Sequence, residues 1–262
     1  MKLSISNIAW GYLDDKEMYQ HLNNTGFDGI EIAPTRLVPD KPYDNIEQAI
    51  YITNKIKNDY NLNISSMQSI WFGRSERIFG TEEEREILIA YTEKAIKYAE
   101  AIGCKNIVFG CPKNRNMDDI SRYSIALDFF SKLGKMAQAH GVVIAMEPNP
   151  IIYNTNFLNK TEEAIDFVKE INSSGLQVNL DLGTIIWNNE DINLLIDNIE
   201  WIHHIHISEP NLIQIEKRKL HNELKDILIS KDYKGYVSIE MKSYNDVNVV
   251  KDTIDYVSGV MR

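Results

Sequence analysis

Four polar side chains in the second half of the chain are of types that bind metal ions, and each stands near the end of a separate apolar run. In order they are Glu147, Asp181, His206 and Glu240, at intervals of 34, 25 and 34 residues. An interval of that size accommodates about one strand, one helix and two loops. We therefore expect one such side chain at the end of each of four successive parallel strands.

Three carboxylates and one imidazole that converge on one point repel each other unless a cation lies between them. This mixture of oxygen and nitrogen ligands suits Mn²⁺, Mg²⁺, Co²⁺ or Zn²⁺. The pattern therefore predicts one divalent metal ion and a metal-dependent enzyme. The alternative is that Glu147 and Glu240 are buried acids that only hold the fold together. It is disfavoured because burying unpaired carboxylates without a cation is costly.

The elements that would position these residues alternate regularly along the chain. Before the four apolar runs come strand candidates at 3–10, 29–33, 62–70 and 106–109. Each is followed by a segment with helical periodicity; one of these begins with a capping box at 81–84 and ends at Gly103. Eight strand–helix pairs predict a (β/α)8 TIM barrel, in which residues 1–262 form a single domain with its active site at the strands' carboxyl ends. A doubly wound open sheet is the alternative.

Bulk composition excludes several classes of function. The net charge of −10 opposes binding to nucleic acid, which needs clustered Lys and Arg. No stretch approaches the roughly 20 apolar residues of a membrane span, and the first residues are typical of a strand rather than a signal peptide. The two cysteines, Cys104 and Cys111, are not in a metal-type spacing. We expect a reduced, cytoplasmic protein without a disulfide framework.

Five segments in order resemble the xylose isomerase-like barrels, the sugar phosphate isomerase/epimerase group that also contains endonuclease IV. They are FDGIE at 27–31, MEPN at 146–149, DLGT at 181–184, HIHISE at 204–209 and VSIEM at 237–241. Each segment is weak alone, but all five at one-strand spacings are fairly specific. The resemblance covers nearly the whole chain.

The resemblance implies that Glu147, Asp181, His206 and Glu240 hold one divalent metal ion, with Mn²⁺ among the candidates. It also implies that the two glutamates face each other across a small carbohydrate. One would take a proton from the carbon beside a carbonyl, and the other would return one. The metal would stabilise the enediolate. The predicted function in carbohydrate metabolism is that of an isomerase or epimerase of a sugar, sugar acid or sugar phosphate.

Three positions depart from the ketose 3-epimerase pattern. Thr184 replaces a histidine, Leu212 replaces an arginine, and Tyr153 replaces a second acid. The substrate-binding shell is therefore expected to differ, and free-ketose 3-epimerase activity is in doubt.

Further residues are candidates for substrate binding. They are Gln68, Trp71, Lys113, Arg115, Asn149, Glu209 and Lys242. The two cations after the fourth strand would hold a substrate phosphate or carboxylate, unless they lie in a solvated loop. Trp71 would stack on a sugar ring, unless it is a core residue. We expect Glu31, at the end of the second strand, either to contact one of the metal ligands or to form part of the substrate pocket. His204 should share the inward face of His206, and His203 should lie on the other face.

Other functions remain open from the sequence. A dehydratase or lyase acting on a keto-polyol, similar to inosose or dehydroshikimate dehydratase, begins with the same proton abstraction. An endonuclease IV-type enzyme needs three zinc ions and histidines on the early strands, but the first four strand candidates carry none. A non-catalytic barrel would be favoured by the loss of either glutamate. A homo-oligomer is compatible with the resemblance.

Overall fold

Eight parallel strands form one sheet within residues 1–244 and 246–262, the part of the chain that the computed structural model describes. Their bounds are β1 Lys2–Ile5, β2 Gly29–Ile32, β3 Asn63–Met67, β4 Asn106–Phe109, β5 Val143–Met146, β6 Leu176–Asp181, β7 Ile202–Ile207 and β8 Tyr236–Ile239. The strand order is β1-β8-β7-β6-β5-β4-β3-β2. An isolated parallel bridge between Ser6 and Glu31 joins β1 to β2 at the remaining seam. The predicted (β/α)8 barrel is therefore confirmed, and the open-sheet alternative is wrong.

Helices alternate with the strands and cover the outside of the barrel. Their bounds are α1 Asp15–Asn24, α2 Pro34–Leu37, α3 Ile46–Tyr60, α4 Glu82–Ala101, α5 Tyr123–Ala139, α6 Thr161–Ile171, α7 Leu182–Asn188, α8 Lys219–Ser230 and α9 Val247–Met261. Between β6 and β7 the helix α7 is short, and a 3-10 helix, Ile192–Asp197, follows it before β7 begins. None of the helices in the described ranges is both long and apolar enough to cross a membrane.

The capping box predicted before α4 is present. Thr81 accepts a hydrogen bond from the Glu84 N–H at 3.2 Å, and the Glu84 carboxylate accepts one from the Thr81 N–H at 2.7 Å. These bonds satisfy backbone donors that the first helical turn leaves free. They fix the point at which the chain leaves the loop after β3 and enters α4.

The core between strands and helices contains a series of aromatic rings that meet edge to face. The ring centroid of Phe109 on β4 lies 4.9 Å from that of Phe130 on α5. The ring centroid of Phe130 lies 5.5 Å from that of Phe167 on α6. Such pairs add to the stabilisation that burial alone provides. They anchor the carboxyl end of β4 against two helices, beside the place where the predicted metal ligands lie.

Strand β7 departs from the strict alternation that the sequence suggested. In its pairing with β6, Val178 stands beside Ile202 but Asn179 stands beside His204, so His203 is an extra residue in a bulge. His203 Nδ1 lies 2.7 Å from the Asn106 side chain of β4, near the bottom of the barrel. Because of this bulge, His203 does not follow the strict alternation that would place it on the opposite face of the strand from His204.

Candidate metal centre

The four predicted ligands meet at the carboxyl ends of neighbouring strands. Glu147 and Glu240 directly follow β5 and β8, Asp181 ends β6, and His206 lies in β7. In the sheet register Asp181 stands beside His206, and the Glu240 N–H donates to the carbonyl of Ile207 at 2.9 Å. Parallel pairing thus places side chains that are far apart in sequence on one rim of the barrel.

His206 lies against both glutamates. Its Nδ1 is 3.0 Å from Glu147 Oε1 and 3.2 Å from Glu240 Oε2, and the ligand atoms of the three residues all lie within 4.8 Å of one another. All three side chains are buried, and the Nδ1 atom has no hydrogen-bond partner among the described residues. Two carboxylate oxygens and an unpartnered imidazole nitrogen that converge in this way form a donor set that fits a divalent cation.

Asp181 borders the same cavity but is not part of this three-residue group. Its carboxylate accepts hydrogen bonds at 3.1 Å from the N–H groups of Gly183 and Thr184, and further bonds from the hydroxyls of Thr184 and Ser208. It is the N-cap of α7. Asp181 therefore has a structural role of its own, and this network fixes its carboxylate at the rim.

Burial and the charges of neighbouring side chains shift the pKa values of these residues. Burial, followed by the charge of Glu147, raises the pKa of Asp181 to about 6. Burial raises the pKa of Glu240 to about 7, although His206 opposes this increase. Burial lowers the pKa of His206, but Glu31 and Glu240 raise it by more, to well above its usual value. The raised pKa values of Asp181 and Glu240 show that the ionised forms of these two acids are disfavoured here, and a cation bound among them would offset that cost.

Two amides and one glycine fix the position of the Glu147 carboxylate. Asn179 Nδ2 donates to Oε1 at 2.7 Å, and Asn149 Nδ2 donates to Oε2 at 3.1 Å. A Cβ atom added to Gly110, at the end of β4, would lie 2.6 Å from Oε2. The carboxylate therefore occupies space that only a glycine leaves free.

Beneath the three-residue group lies a second group, formed by Glu31, His204 and His206. Glu31 Oε2 is 2.9 Å from His206 Nε2 and 3.2 Å from His204 Nε2. Burial raises the pKa of Glu31, but the two histidines lower it by more, so that the net pKa lies well below its usual value. Glu31 is thus an ionised acid, with none of its side chain exposed to solvent.

A cavity of about 550 Å³ opens above the metal centre. Its wall includes four of the residues predicted to bind substrate, namely Gln68, Trp71, Lys113 and Asn149. Trp71 is at the same time a core residue: its ring packs edge to face on Phe109 at 4.7 Å, and its Nε1 donates to Thr92 at 2.8 Å. Trp71 therefore presents only a small part of its surface to the cavity.

The other three predicted substrate-binding residues lie elsewhere. Arg115 is fully buried, where desolvation lowers its pKa to about 10, and it donates to the backbone carbonyl of Glu147 at 2.8 Å. Glu209 is fully buried and forms a two-pronged ion pair with Arg218, at 2.7 and 2.6 Å. Lys242 has an exposed side chain. None of the three is part of the cavity wall.

Several residues of the site were not singled out from the sequence. Asn179 precedes Asp181 by two positions in β6, so strand alternation could have placed both on one face. Ser208 follows His206 by two positions and could have been found in the same way. Gly110 had no such signal, because a glycine after a strand is most often part of a turn.

The chain belongs to the xylose isomerase-like TIM barrel family, whose pattern matches residues 19–258. Solved structures of the same fold include 3-keto-D-glucoside 4-epimerase from E. coli, with a TM-score of 0.80 and 20% identity over 99% of each chain. D-psicose 3-epimerase from Clostridium cellulolyticum H10, crystallised with D-tagatose, has a TM-score of 0.78 and 17% identity over 100% of each chain. An AP endonuclease of family 2 from Brucella melitensis has a TM-score of 0.76 and 18% identity over 99% of each chain. No curated protein matches the sequence.

Proposed function

We propose that this protein is a divalent-metal-dependent epimerase or isomerase of a keto sugar. The observation that carries the proposal is the approach of two carboxylates, Glu147 and Glu240, to the unpartnered Nδ1 of His206 at the floor of a cavity. Sugar epimerases among the structures of the same fold support this class of reaction.

Glu147, Asp181, His206 and Glu240 would hold the ion, which is Mn²⁺, Mg²⁺, Co²⁺ or Zn²⁺ by its ligand types. Bound there, it would supply positive charge to the oxygens of the substrate and stabilise the enediolate. Asp181 would contribute an oxygen that its hydrogen bonds with the start of α7 already hold in place. The remaining chemistry is assigned to the side chains themselves.

Proton transfer is assigned to the two glutamates. They arrive from β5 and β8, on opposite sides of β6 and β7 in the sheet. One would take the proton from the carbon beside the carbonyl, and the other would return a proton to the other face of the carbon or to its neighbour. Asn149 and Asn179 hold Glu147 in one orientation through hydrogen bonds, so that its reactive oxygen need not be positioned at each turnover.

We favour an uncharged substrate over a sugar phosphate or sugar acid. Arg74, on the cavity wall, is already paired with Glu76. Lys113 is exposed, and Arg115 is bonded to backbone carbonyls in the core. Tyr153 and Leu212, also on the wall, offer an aromatic and an apolar surface. Recognition of an anion usually requires several converging donors, whereas these surfaces suit the C–H faces of a sugar.

The test is proton exchange on a panel of substrates. The metal-loaded protein is incubated in deuterated buffer with neutral ketohexoses and 3-keto-glucosides, and with their phosphorylated counterparts. We expect deuterium beside the carbonyl of recovered substrate and product, and its loss in Glu147→Gln and Glu240→Gln. Glu100→Gln, on the surface of α4, is the matched control. Full exchange in both site variants would refute the proposal. An enone chromophore in place of exchange would indicate the dehydratase alternative.

A further inference from the structure

Glu31 is buried in the barrel interior, with three polar side chains close to its two oxygens. His206 and His204 approach Oε2, and Gln68 Nε2 lies 3.3 Å from Oε1. Glu31 also forms the backbone bridge with Ser6 that joins β1 to β2. Neither lysine nor arginine pairs with it among the described residues. Its charge is thus balanced by histidines of β7 rather than by a surface cation.

The contact with His206 decides which nitrogen of that ring carries the proton. A carboxylate only accepts hydrogen bonds, so the Nε2 atom at 2.9 Å from Glu31 must be the donor. Nδ1 lies beside Glu147 and Glu240 and so carries a second proton in the metal-free protein; once that proton leaves, the ring keeps Nε2–H and presents the Nδ1 lone pair to a metal ion. The opposite tautomer would place a proton where a metal ion has to bind.

The contact with Gln68 extends the effect of Glu31 to a second ligand. Gln68 Nε2 donates to Glu240 Oε1 at 3.0 Å and to the Ser6 hydroxyl at 2.8 Å, besides its longer contact with Glu31. The Gln68 amide therefore turns its nitrogen toward an oxygen of each acid. Removing the charge of Glu31 removes one reason for that orientation.

We propose that Glu31 is a positioning residue of the metal centre, which fixes the metal-binding tautomer of His206 directly and the orientation of Glu240 through Gln68. The inference rests on the proposed function for its metal-binding part. Partners of this kind, which accept the second N–H of a ligand histidine, commonly change metal affinity by about 10-fold to 100-fold when removed. Glu31 is not part of the cavity wall, so we assign its effect to the residues it contacts, His206 and Gln68.

The first test reads the tautomer without any metal. Long-range ¹H–¹⁵N spectra of the metal-free protein, with the His206 signals assigned by their loss in His206→Asn, report which ring nitrogen is protonated. We expect the metal-free wild-type ring to keep a proton on Nε2 throughout: doubly protonated around neutral pH, and in the Nε2–H form once Nδ1 loses its proton at higher pH. In Glu31→Leu, which fills the same space without an acceptor, the Nδ1–H form should become populated. An unchanged tautomer in Glu31→Leu would overturn the inference.

The second test measures affinity for Mn²⁺ by counting free ions with electron paramagnetic resonance. Glu31→Gln and Glu31→Leu should bind Mn²⁺ about 10-fold to 100-fold more weakly than the wild type. His203→Gln is the matched control, since it disturbs another hydrogen bond of β7, the partly buried one with Asn106 at the other end of the barrel. It should bind Mn²⁺ as the wild type does.

The outcomes separate the inference from the proposed function. If the wild type binds no divalent ion, the proposed function fails, and the metal-binding part of this inference fails with it. If the wild type binds Mn²⁺ and both Glu31 variants bind it equally well, only the inference fails. Should Glu31→Leu not fold, Glu31→Met, which also removes the carboxylate acceptor, supplies the tautomer measurement, and Glu31→Gln, which keeps the shape of the side chain and removes its charge, supplies the affinity measurement.

Discussion

Gly110 leaves open the space that the carboxylate of Glu147 fills. A Cβ atom at position 110 would lie 2.6 Å from Glu147 Oε2, which is closer than real Cβ contacts come. The two residues follow adjacent strands, β4 and β5, whose register places Phe109 beside Met146. The absence of a side chain at Gly110 is therefore a condition for the position of the Glu147 carboxylate.

Gly110→Ala should displace the Glu147 carboxylate. A shift of several tenths of an ångström at a reacting group lowers turnover, and we expect a loss of about 10-fold to 100-fold. The measurement is the rate of solvent deuterium exchange, together with Mn²⁺ affinity. Gly259→Ala is the matched control, because nothing lies within 4 Å of its added Cβ. Equal activity in the two variants would contradict the crowding argument.

Asp181→Asn should separate two roles of one side chain. Asparagine keeps only one acceptor oxygen and turns an NH2 group toward the other N–H at the start of α7, so the unfolding free energy of the metal-free protein should fall by about 1–3 kcal/mol. The lost charge should weaken Mn²⁺ binding by about 100-fold or more, beyond the effect of an outer partner. Urea unfolding and an ion titration measure the two quantities. Asp181→Ala should lose both, and an Asp181→Asn protein with normal Mn²⁺ affinity would show that this carboxylate is no ligand.

Arg115→Met should destabilise the fold without a specific effect on substrate affinity. The change leaves the buried carbonyl of Glu147 without its donor, at a cost of about 1–3 kcal/mol. Lys113→Gln, two positions earlier and exposed, should change the unfolding free energy by less than about 0.5 kcal/mol. Urea unfolding gives both values. If instead Arg115→Met kept full stability but raised KM, Arg115 would be a substrate contact, as the sequence had suggested.

His221 should make the protein less stable at acid pH. Burial, and then the charge of Arg218, lower its pKa to about 4 from the ordinary value of 6.5. Between these pH values the unfolded chain binds a proton that the folded one does not, so stability falls as pH falls from 6.5 to 4. At pH 5 the loss is about 2 kcal/mol. Urea unfolding at pH 7.5 and pH 5 gives the loss of unfolding free energy between the two pH values. This loss should be smaller by about 2 kcal/mol in His221→Gln than in the wild type. An equal loss in the two proteins would refute the assignment.

The sequence was sufficient to place the four predicted ligands because each follows a short apolar run. In a parallel barrel the ends of such runs meet on one rim. Chain position alone therefore predicted that Glu147, His206 and Glu240 lie together. It also predicted Asp181 at the same rim, since Asp181 likewise ends an apolar run.

The sequence could not predict where loop residues point. Arg115 and Lys113 stand in one short loop, yet one side chain turns into the core and the other into solvent. That difference depends on free carbonyls supplied by distant segments, at Glu147 and Leu158. Glu209 likewise takes its direction from Arg218, nine positions later. The bulge that adds His203 to β7 has no local signal either, since it depends on the register with β6.

Closure of the barrel between β1 and β8 has a consequence for the order of events during synthesis. Lys2 pairs with Tyr236, so the first strand made must wait for the last before it gains this neighbour. Glu31 waits for the histidines of β7, and Gln68 waits for Glu240 after β8. On a ribosome the nascent chain therefore carries an incomplete centre until β8 has emerged. Binding of an ion by the finished centre would then report completion of the whole barrel rather than of any local unit.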